Sequence, residues 1–359
     1  MKNIISLFFC FTLLSINSIA YAEIKETTIN SDILDGSRQI KIYLPDDYAD
    51  TTKKYPVFYV MDADFLFDPT VVISKTRAAR DLMPESIIVG ISTPNYAERL
   101  TITMPHRREP NEQINFEDSS PQHFLDFMEQ ELIPFIDDHY RTANYRGLIG
   151  MSPTVGPVLH GYFTSSKTFQ AWLGFAANVQ MYTIENKPIT TKIIETAERL
   201  QGSRNWLYLS RGGIDIMRND DLPAPYSKLQ NAFDTPDAQV KIDIIENGEH
   251  YASAISSLDR AFSFIFPPSE WMPDYLSYRA GETPLNDLKE FYAALSEKYG
   301  FQTYPTNDGY WMGFSIAGTA RYLVRNDRSE EAKKLLEWAL EFSPKSAELL
   351  EPLQRLNEE

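Results

Sequence analysis

The sequence predicts an α/β fold, with a mostly parallel sheet covered by helices on both faces and an all-helical C-terminal extension. Three observations predict it. Short apolar runs bounded by turn residues alternate with helix-spaced apolar stretches from Ile24 to about Pro267. The pattern then changes at Pro267-Pro268, after which only helical periodicity continues. At 359 residues, 43% of them hydrophobic, the chain is long enough for one large α/β domain plus an appendage.

Taken in order, Ile40–Tyr43, Val57–Met61 and Ile87–Ile91 read as strands, the first ones forming an antiparallel edge. Pro121–Asp138 carries Phe124, Phe127, Met128, Leu132 and Phe135 at helical spacing. Gly147–Ile149, Trp172–Phe175, Trp206–Leu209 and Val240–Ile245 are further strands, while Ile193–Leu200 and Tyr251–Ile265 are helices. In open sheets of this kind, ligands bind at the carboxyl ends of the strands. Trp271 to Glu282 reads as irregular, and Leu285–Tyr299, Gly313–Val324 and Ser329–Phe342 as three helices. Ala332, Leu336, Ala339 and Pro344 fit half of a tetratricopeptide-like unit. One such unit cannot bury its own apolar face, so the extension is expected to cap the main domain, the other reading being a peptide-binding array.

Residues 1–22 have the form of a secretory signal peptide: Lys2, an apolar run from Ile4 to Leu14, and Ala20-Tyr21-Ala22 as a cleavage site. That run is too short to span a bilayer, and nothing later resembles a membrane span. The expected division is a leader at 1–22, a main domain at 23–267 and a helical extension at 268–359, with a periplasmic or secreted location. The sole cysteine, Cys10, falls in the leader, so neither disulfides nor thiolate chemistry is expected of the mature chain. A net charge of −16 argues against nucleic-acid backbones and anionic lipid as partners.

The residues that carry chemistry are a serine, an acid and a histidine. Gly147-Leu148-Ile149-Gly150-Met151-Ser152 is a short strand ending in Gly-x-Ser, and an apolar helical stretch from Val155 to Phe163 follows. That is the strand–turn–helix setting of a nucleophile elbow. Asp215 follows the strand at Trp206, and His250 follows the strand at Val240. The order Ser…Asp…His, each just after a strand, makes Ser152 the nucleophile, His250 its base and Asp215 the group that orients the imidazole. Asp220 and Asp221 are competing acids. Ser152-Pro153 also reads as an ordinary helix start, with serine as the cap. His106, His123, His139 and His160 fit no metal-ligand spacing, and no Gly-rich loop suits a phosphate, so neither metal nor organic cofactor is expected.

From Lys54 to Phe266 the chain resembles the esterase D-like family of α/β hydrolases, which includes siderophore-ester esterases. The resemblance is carried by Lys54-Tyr-Pro-Val-Phe-Tyr-Val-Met-Asp62, Ile88-Val-Gly-Ile-Ser92, Ile149-Gly-Met-Ser152, Leu207-Tyr-Leu-Ser-Arg-Gly-Gly213 and Gly248-Glu-His250. It implies the α/β-hydrolase fold and serine-dependent cleavage of a small carboxylic ester. Departures cluster at the site. Gly150-Met-Ser-Pro-Thr-Val155 replaces the usual Gly-His-Ser-x-Gly-Gly, and Pro153 lacks the N–H that normally forms half the oxyanion hole. Pro153 is also expected to push Ser152 towards extended dihedrals. The amides of Ala63 with Asp64, or of Thr154, are the remaining oxyanion candidates. Arg99 matches the first arginine of the family's motif and is a candidate substrate contact, with Arg107 and Arg108 in the same insert. The other reading is a catalytically weakened relative that binds a ligand or a protein partner through the cleft and the helical tail.

Overall fold

The computed structural model describes residues 24–93, 99, 114–115, 120–179, 182–184, 187–215, 223–235, 238–307 and 314–358. The expected leader at 1–22, together with His106, Arg107, Arg108, Asp220 and Asp221, lies outside the described residues.

The strands are β1 (Ile24–Ser31), β2 (Gly36–Tyr43), β3 (Tyr55–Met61), β4 (Ile87–Ile91), β5 (Ile114–Asn115), β6 (Thr142–Met151), β7 (Ala171–Phe175), β8 (Tyr182–Ile184), β9 (Lys187–Pro188), β10 (Trp206–Gly212) and β11 (Val240–Ile245). Eight of them form one sheet in the order β1-β2-β4-β3-β6-β7-β10-β11, and β5, β8 and β9 form a small second one. β1 pairs antiparallel with β2, and β2 antiparallel with β4. From β4 across to β11 every pairing is parallel. This is the mostly parallel, doubly covered sheet of an α/β-hydrolase.

Alternation along the central strands explains the two layers. Every residue of β3 is buried, because both faces are covered. Val57, Tyr59 and Met61 face one core with Leu148, Trp172 and the helix Val155–Thr164. Phe58 and Val60 face the other, with Tyr145, Leu173 and Tyr208. The second core continues through the helices Ala63–Ala78 and His250–Ile265 into the C-terminal extension. Its Leu288, Tyr292, Leu295, Leu323, Leu336 and Leu349 bury their apolar faces there.

The extension differs from expectation in two places. Trp271–Glu282 is not irregular: helices Pro268–Trp271 and Tyr275–Ala280 occupy most of it, the second begun by Asp274, whose side chain accepts from Ser277 N–H. A last helix, Ala347–Glu358, lies beyond the three expected. Ala332, Leu336 and Ala339 are fully buried within the molecule's own core, so this face is not open to a peptide. Polar contacts also tie the extension down. Tyr299 stacks on Trp206 at 5.3 Å and donates to the carbonyl of Ile265 at 2.7 Å. Thr52 N–H donates to Phe342 O at 2.9 Å. Among the described residues, no helix is long and apolar enough to cross a membrane.

Helix Pro121–Asp138, expected as one piece, is a continuous helix with a π-turn at Met128–Leu132. The helix Ala63–Ala78 carried no clear periodic signal, and Pro69 lies inside it. It forms because its N-terminal turn follows directly from β3 and its Leu66 and Phe67 are wholly buried.

Asp81, just past this helix, joins the two parts of the core. It is 7% exposed and accepts hydrogen bonds from Thr306 Oγ1 at 2.7 Å and Tyr292 OH at 3.2 Å, both in the extension. Burial pushes its carboxyl up to about 6, against the opposing pull of those hydroxyls. A carboxyl that holds its proton more tightly when folded contributes stability at acid pH that is lost as pH rises through the folded value. Thermal melts of wild type and Asp81→Asn should therefore diverge with pH. Relative to the variant, the wild type should gain as pH is lowered from about 7 to about 5, and parallel curves would show that this carboxyl does not titrate there.

Candidate active site

β6 runs extended to Met151 (φ −133°, ψ 136°), and Ser152 then turns into the left-handed region at φ 57°. A short 3₁₀ turn, Ser152–Thr154, leads into the helix Val155–Thr164. This corrects the expectation that Pro153 would hold Ser152 extended. The strand must reverse into a helix within one residue, and that requirement overrides the local preference. A left-handed non-glycine residue costs about 1–3 kcal/mol and persists only where its surroundings over-determine it. Met151 caps the short turn and Thr154 the helix, so Ser152 stands inside the turn and the ordinary helix-cap reading does not describe it.

The tight turn has steric requirements that the neighbouring glycines meet. A Cβ on Gly150 would lie 2.4 Å from the Thr154 carbonyl oxygen, so this position needs glycine. Val155 stands where the family has a small residue, and the space it needs is left by Gly174 on β7. A Cβ there would come within 3.1 Å of Val155 and 2.8 Å of Leu209. The departure at Val155 is thus compensated from the adjacent strand.

Thr154 is buried, and its hydroxyl accepts from Met151 N–H at 2.6 Å and reaches Asp62 Oδ2 at 2.6 Å. Arg99 Nε donates to Asp62 Oδ1, and its Nη2 donates to the Met151 carbonyl at 3.0 Å. The guanidinium read from sequence as a substrate contact is therefore engaged with the elbow. Asp62, to which the sequence gave no role, is 8% exposed, lies at φ 60°, and precedes the helix Ala63–Ala78. Its partner Thr154 is 92 residues away, which hides the pairing from any local motif.

At the start of that helix, the Asp62 carbonyl accepts from the N–H groups of Phe65 and Leu66, both at 2.9 Å. The amides of Ala63 and Asp64 come earlier still, in the first turn, where donors have no intrahelical acceptor and the helix dipole is positive. Ala63 is buried, whereas Asp64 is exposed and its carboxylate accepts from Ser92 Oγ at 3.2 Å.

The acid and the histidine are brought together by two turns that pack backbone on backbone. A Cβ on Gly212, the last residue of β10, would meet the Gly248 carbonyl oxygen at 2.2 Å. Gly213 N–H donates to Ile245 O at 2.9 Å and Ile214 N–H to Gly248 O at 3.1 Å, locking the turn after β10 to the turn after β11. Asp215 (5% exposed) then faces His250, the first residue of its helix, with Nδ1 at 2.9 and 3.0 Å from the two carboxylate oxygens. With Nδ1 donating to Asp215, Nε2 is left as an acceptor. Ser152 shares the carboxyl edge of the same sheet, two strands from β10. Among the described residues, Ser152 and His250 share no hydrogen bond; such contacts often tighten only when substrate binds.

Residues 31–181 match the family model described as "Putative esterase". Over that stretch the chain is similar to the family, and its fold is that of an α/β-hydrolase. The likeness is therefore to carboxylic ester hydrolases. The solved structures it resembles have the same fold at low identity. An IroE-like serine hydrolase from Shewanella oneidensis is 19% identical with a TM-score of 0.66, the match covering 87% of this chain and 98% of that one. An uncharacterised protein from Capnocytophaga ochracea is 18% identical with a TM-score of 0.59, over 94% and 89% of the two chains. The siderophore hydrolase EstA from Aspergillus nidulans is 17% identical with a TM-score of 0.55, over 73% and 100%. Among curated proteins, none matches the chain in sequence.

The backbone contact at Gly212 gives a direct test of how the acid is presented. Gly212→Ala should force the two turns apart and lower ester turnover far more than it lowers the melting temperature, because the clash falls on the turn that carries Asp215. Wild-type kcat in the folded variant would show that the turns can separate without disturbing the Asp215–His250 pair.

Proposed function

We propose that the protein is an esterase that cleaves its substrate through an acyl-enzyme on Ser152, with His250 as general base and Asp215 as the orienting acid. The observation that carries this is the buried Asp215–His250 pair on the same sheet edge as a left-handed Ser152. In the first half-reaction, His250 Nε2 takes the Ser152 proton as Oγ attacks the ester carbonyl. The tetrahedral oxyanion is stabilised by the amides of Ala63 and Asp64, at the positive end of a sixteen-residue helix. Collapse expels the alcohol, which takes the proton from His250, and water then cleaves the acyl-enzyme by the same route in reverse.

Pro153 supplies no amide after the nucleophile, and loss of one oxyanion donor typically lowers kcat by about 10²–10³-fold. That favours slow turnover, and it is the observation behind the alternative of a ligand-binding relative with a weakened site. Retention of a strained serine together with a hydrogen-bonded Asp–His pair supports the enzyme reading over it. Arg107 and Arg108 in the long insert, and the siderophore hydrolases among the structural relatives, support an anionic ester as substrate. The leader at 1–22 supports export to the periplasm or beyond, with the esterase domain at 23–267 and the helical extension at 268–359.

A fluorophosphonate probe and a panel of acyl esters test the mechanism. Ser152→Ala should abolish both labelling and turnover, while Asp215→Asn should keep the fold and lower kcat by about 10⁴-fold. Folded wild-type protein that neither labels at Ser152 nor turns over any ester would sink the acyl-enzyme reading. Loss of activity on replacing Asp220 or Asp221, with Asp215→Asn silent, would move the acid.

A further inference from the structure

We propose that Asp62 is a positioning residue of the esterase: its carboxylate closes a ring of hydrogen bonds that holds Ser152 in its left-handed turn and sets it against the first amides of the helix Ala63–Ala78. The proposal rests on Ser152 being the nucleophile, as argued above.

The ring follows from donor and acceptor chemistry. Thr154 Oγ1 accepts the N–H of Met151, the residue before the nucleophile, at 2.6 Å. Its single proton has two acceptors in reach, Met151 O at 2.9 Å and Asp62 Oδ2 at 2.6 Å. The carboxylate is the nearer and stronger acceptor. The Met151 carbonyl is meanwhile served by Arg99 Nη2 at 3.0 Å, and Arg99 Nε is paired with Asp62 Oδ1. Both main-chain polar groups of Met151 are thus fixed from one carboxylate, one through Thr154 and one through Arg99. The peptide unit entering Ser152 cannot rotate without breaking this ring.

Asp62 also ties the elbow to the opposite wall of the site. It is the left-handed residue between β3 and the helix Ala63–Ala78, so its carbonyl is joined to the Ala63 amide and the Asp64 amide follows one residue on. Its side chain reaches the elbow after β6, the strand paired with β3. The usual small residue after the elbow would offer no hydroxyl at position 154, so the brace belongs to this variant of the motif. It also accompanies Pro153, which removes the amide that would otherwise help to hold the oxyanion. With that donor gone, the spacing between the helix amides and Ser152 matters more, and Asp62 sets that spacing.

Thr154→Val keeps the shape and removes the hydroxyl; Thr154→Ser keeps the hydroxyl. Asp62→Asn keeps a residue that tolerates the left-handed conformation but cannot accept the Thr154 proton at the replaced oxygen. Each purified full-length variant is to be compared with wild type in kcat, KM, fluorophosphonate labelling rate and thermal midpoint. Thr154→Val should lower kcat and labelling rate by about 10²-fold, the scale of a misplaced nucleophile, with KM little changed. Asp62→Asn should act in the same direction, Thr154→Ser should restore wild-type behaviour, and the double variant Asp62→Asn/Thr154→Val should be no worse than Thr154→Val alone. Equal kcat in the valine and serine variants, additive losses in the double variant, or wild-type labelling of Asp62→Asn would overturn the proposal. Failure of wild type itself to label would instead remove the nucleophile reading beneath it, so the two failures are told apart.

Discussion

The left-handed turn at Ser152 is the constraint on which the site depends. A β-strand that must give way to a helix within one residue lifts that residue's side chain above the sheet, and the conformation has to be held there. Gly150 makes room for the Thr154 carbonyl, Gly174 makes room for Val155, and Thr154, Asp62 and Arg99 fix the peptide that enters the turn. None of these side chains is a candidate for the bond-making step. They determine where the hydroxyl stands.

The same principle, backbone brought close by an absent side chain, builds the other half of the site. Gly212 lets two strand-end turns touch, and two amide–carbonyl bonds fasten them. Asp215 and His250 then meet as a consequence of turn packing. Their alignment is fixed by the parallel pairing of β10 with β11, which runs from Leu207↔Val240 to Gly212↔Ile245.

Beneath the site, the helical extension is part of the fold's covering layer. One face of the sheet is capped by the helices Ala63–Ala78 and His250–Ile265, and these are in turn backed by the extension through a continuous aromatic and aliphatic core. Tyr145 and Trp206, near the strand starts, pack on Tyr299, while Phe301 also packs on Tyr145. The helix whose first turn carries the oxyanion candidates is therefore supported at its far end by Asp81 and its hydroxyl partners in the extension.

The sequence by itself determined the inner strand runs of the main sheet and the placement of Ser152, Asp215 and His250 after strand ends, because alternating burial and turn residues are local signals. Ile87–Ile91 and Val240–Ile245 were legible to the residue. The helix Ala63–Ala78 was not, since tertiary burial rather than periodicity makes it, and the short helices within Trp271–Glu282 escaped for the same reason. Local reasoning also misjudged Ser152: the residue before a proline prefers extended backbone, and only the demand of strand–helix reversal turns it left-handed. Tertiary structure alone decided what Asp62, Thr154 and Arg99 do. Their partners lie far apart in the chain, and the hydrogen bonds that unite them exist only once β3 lies beside β6.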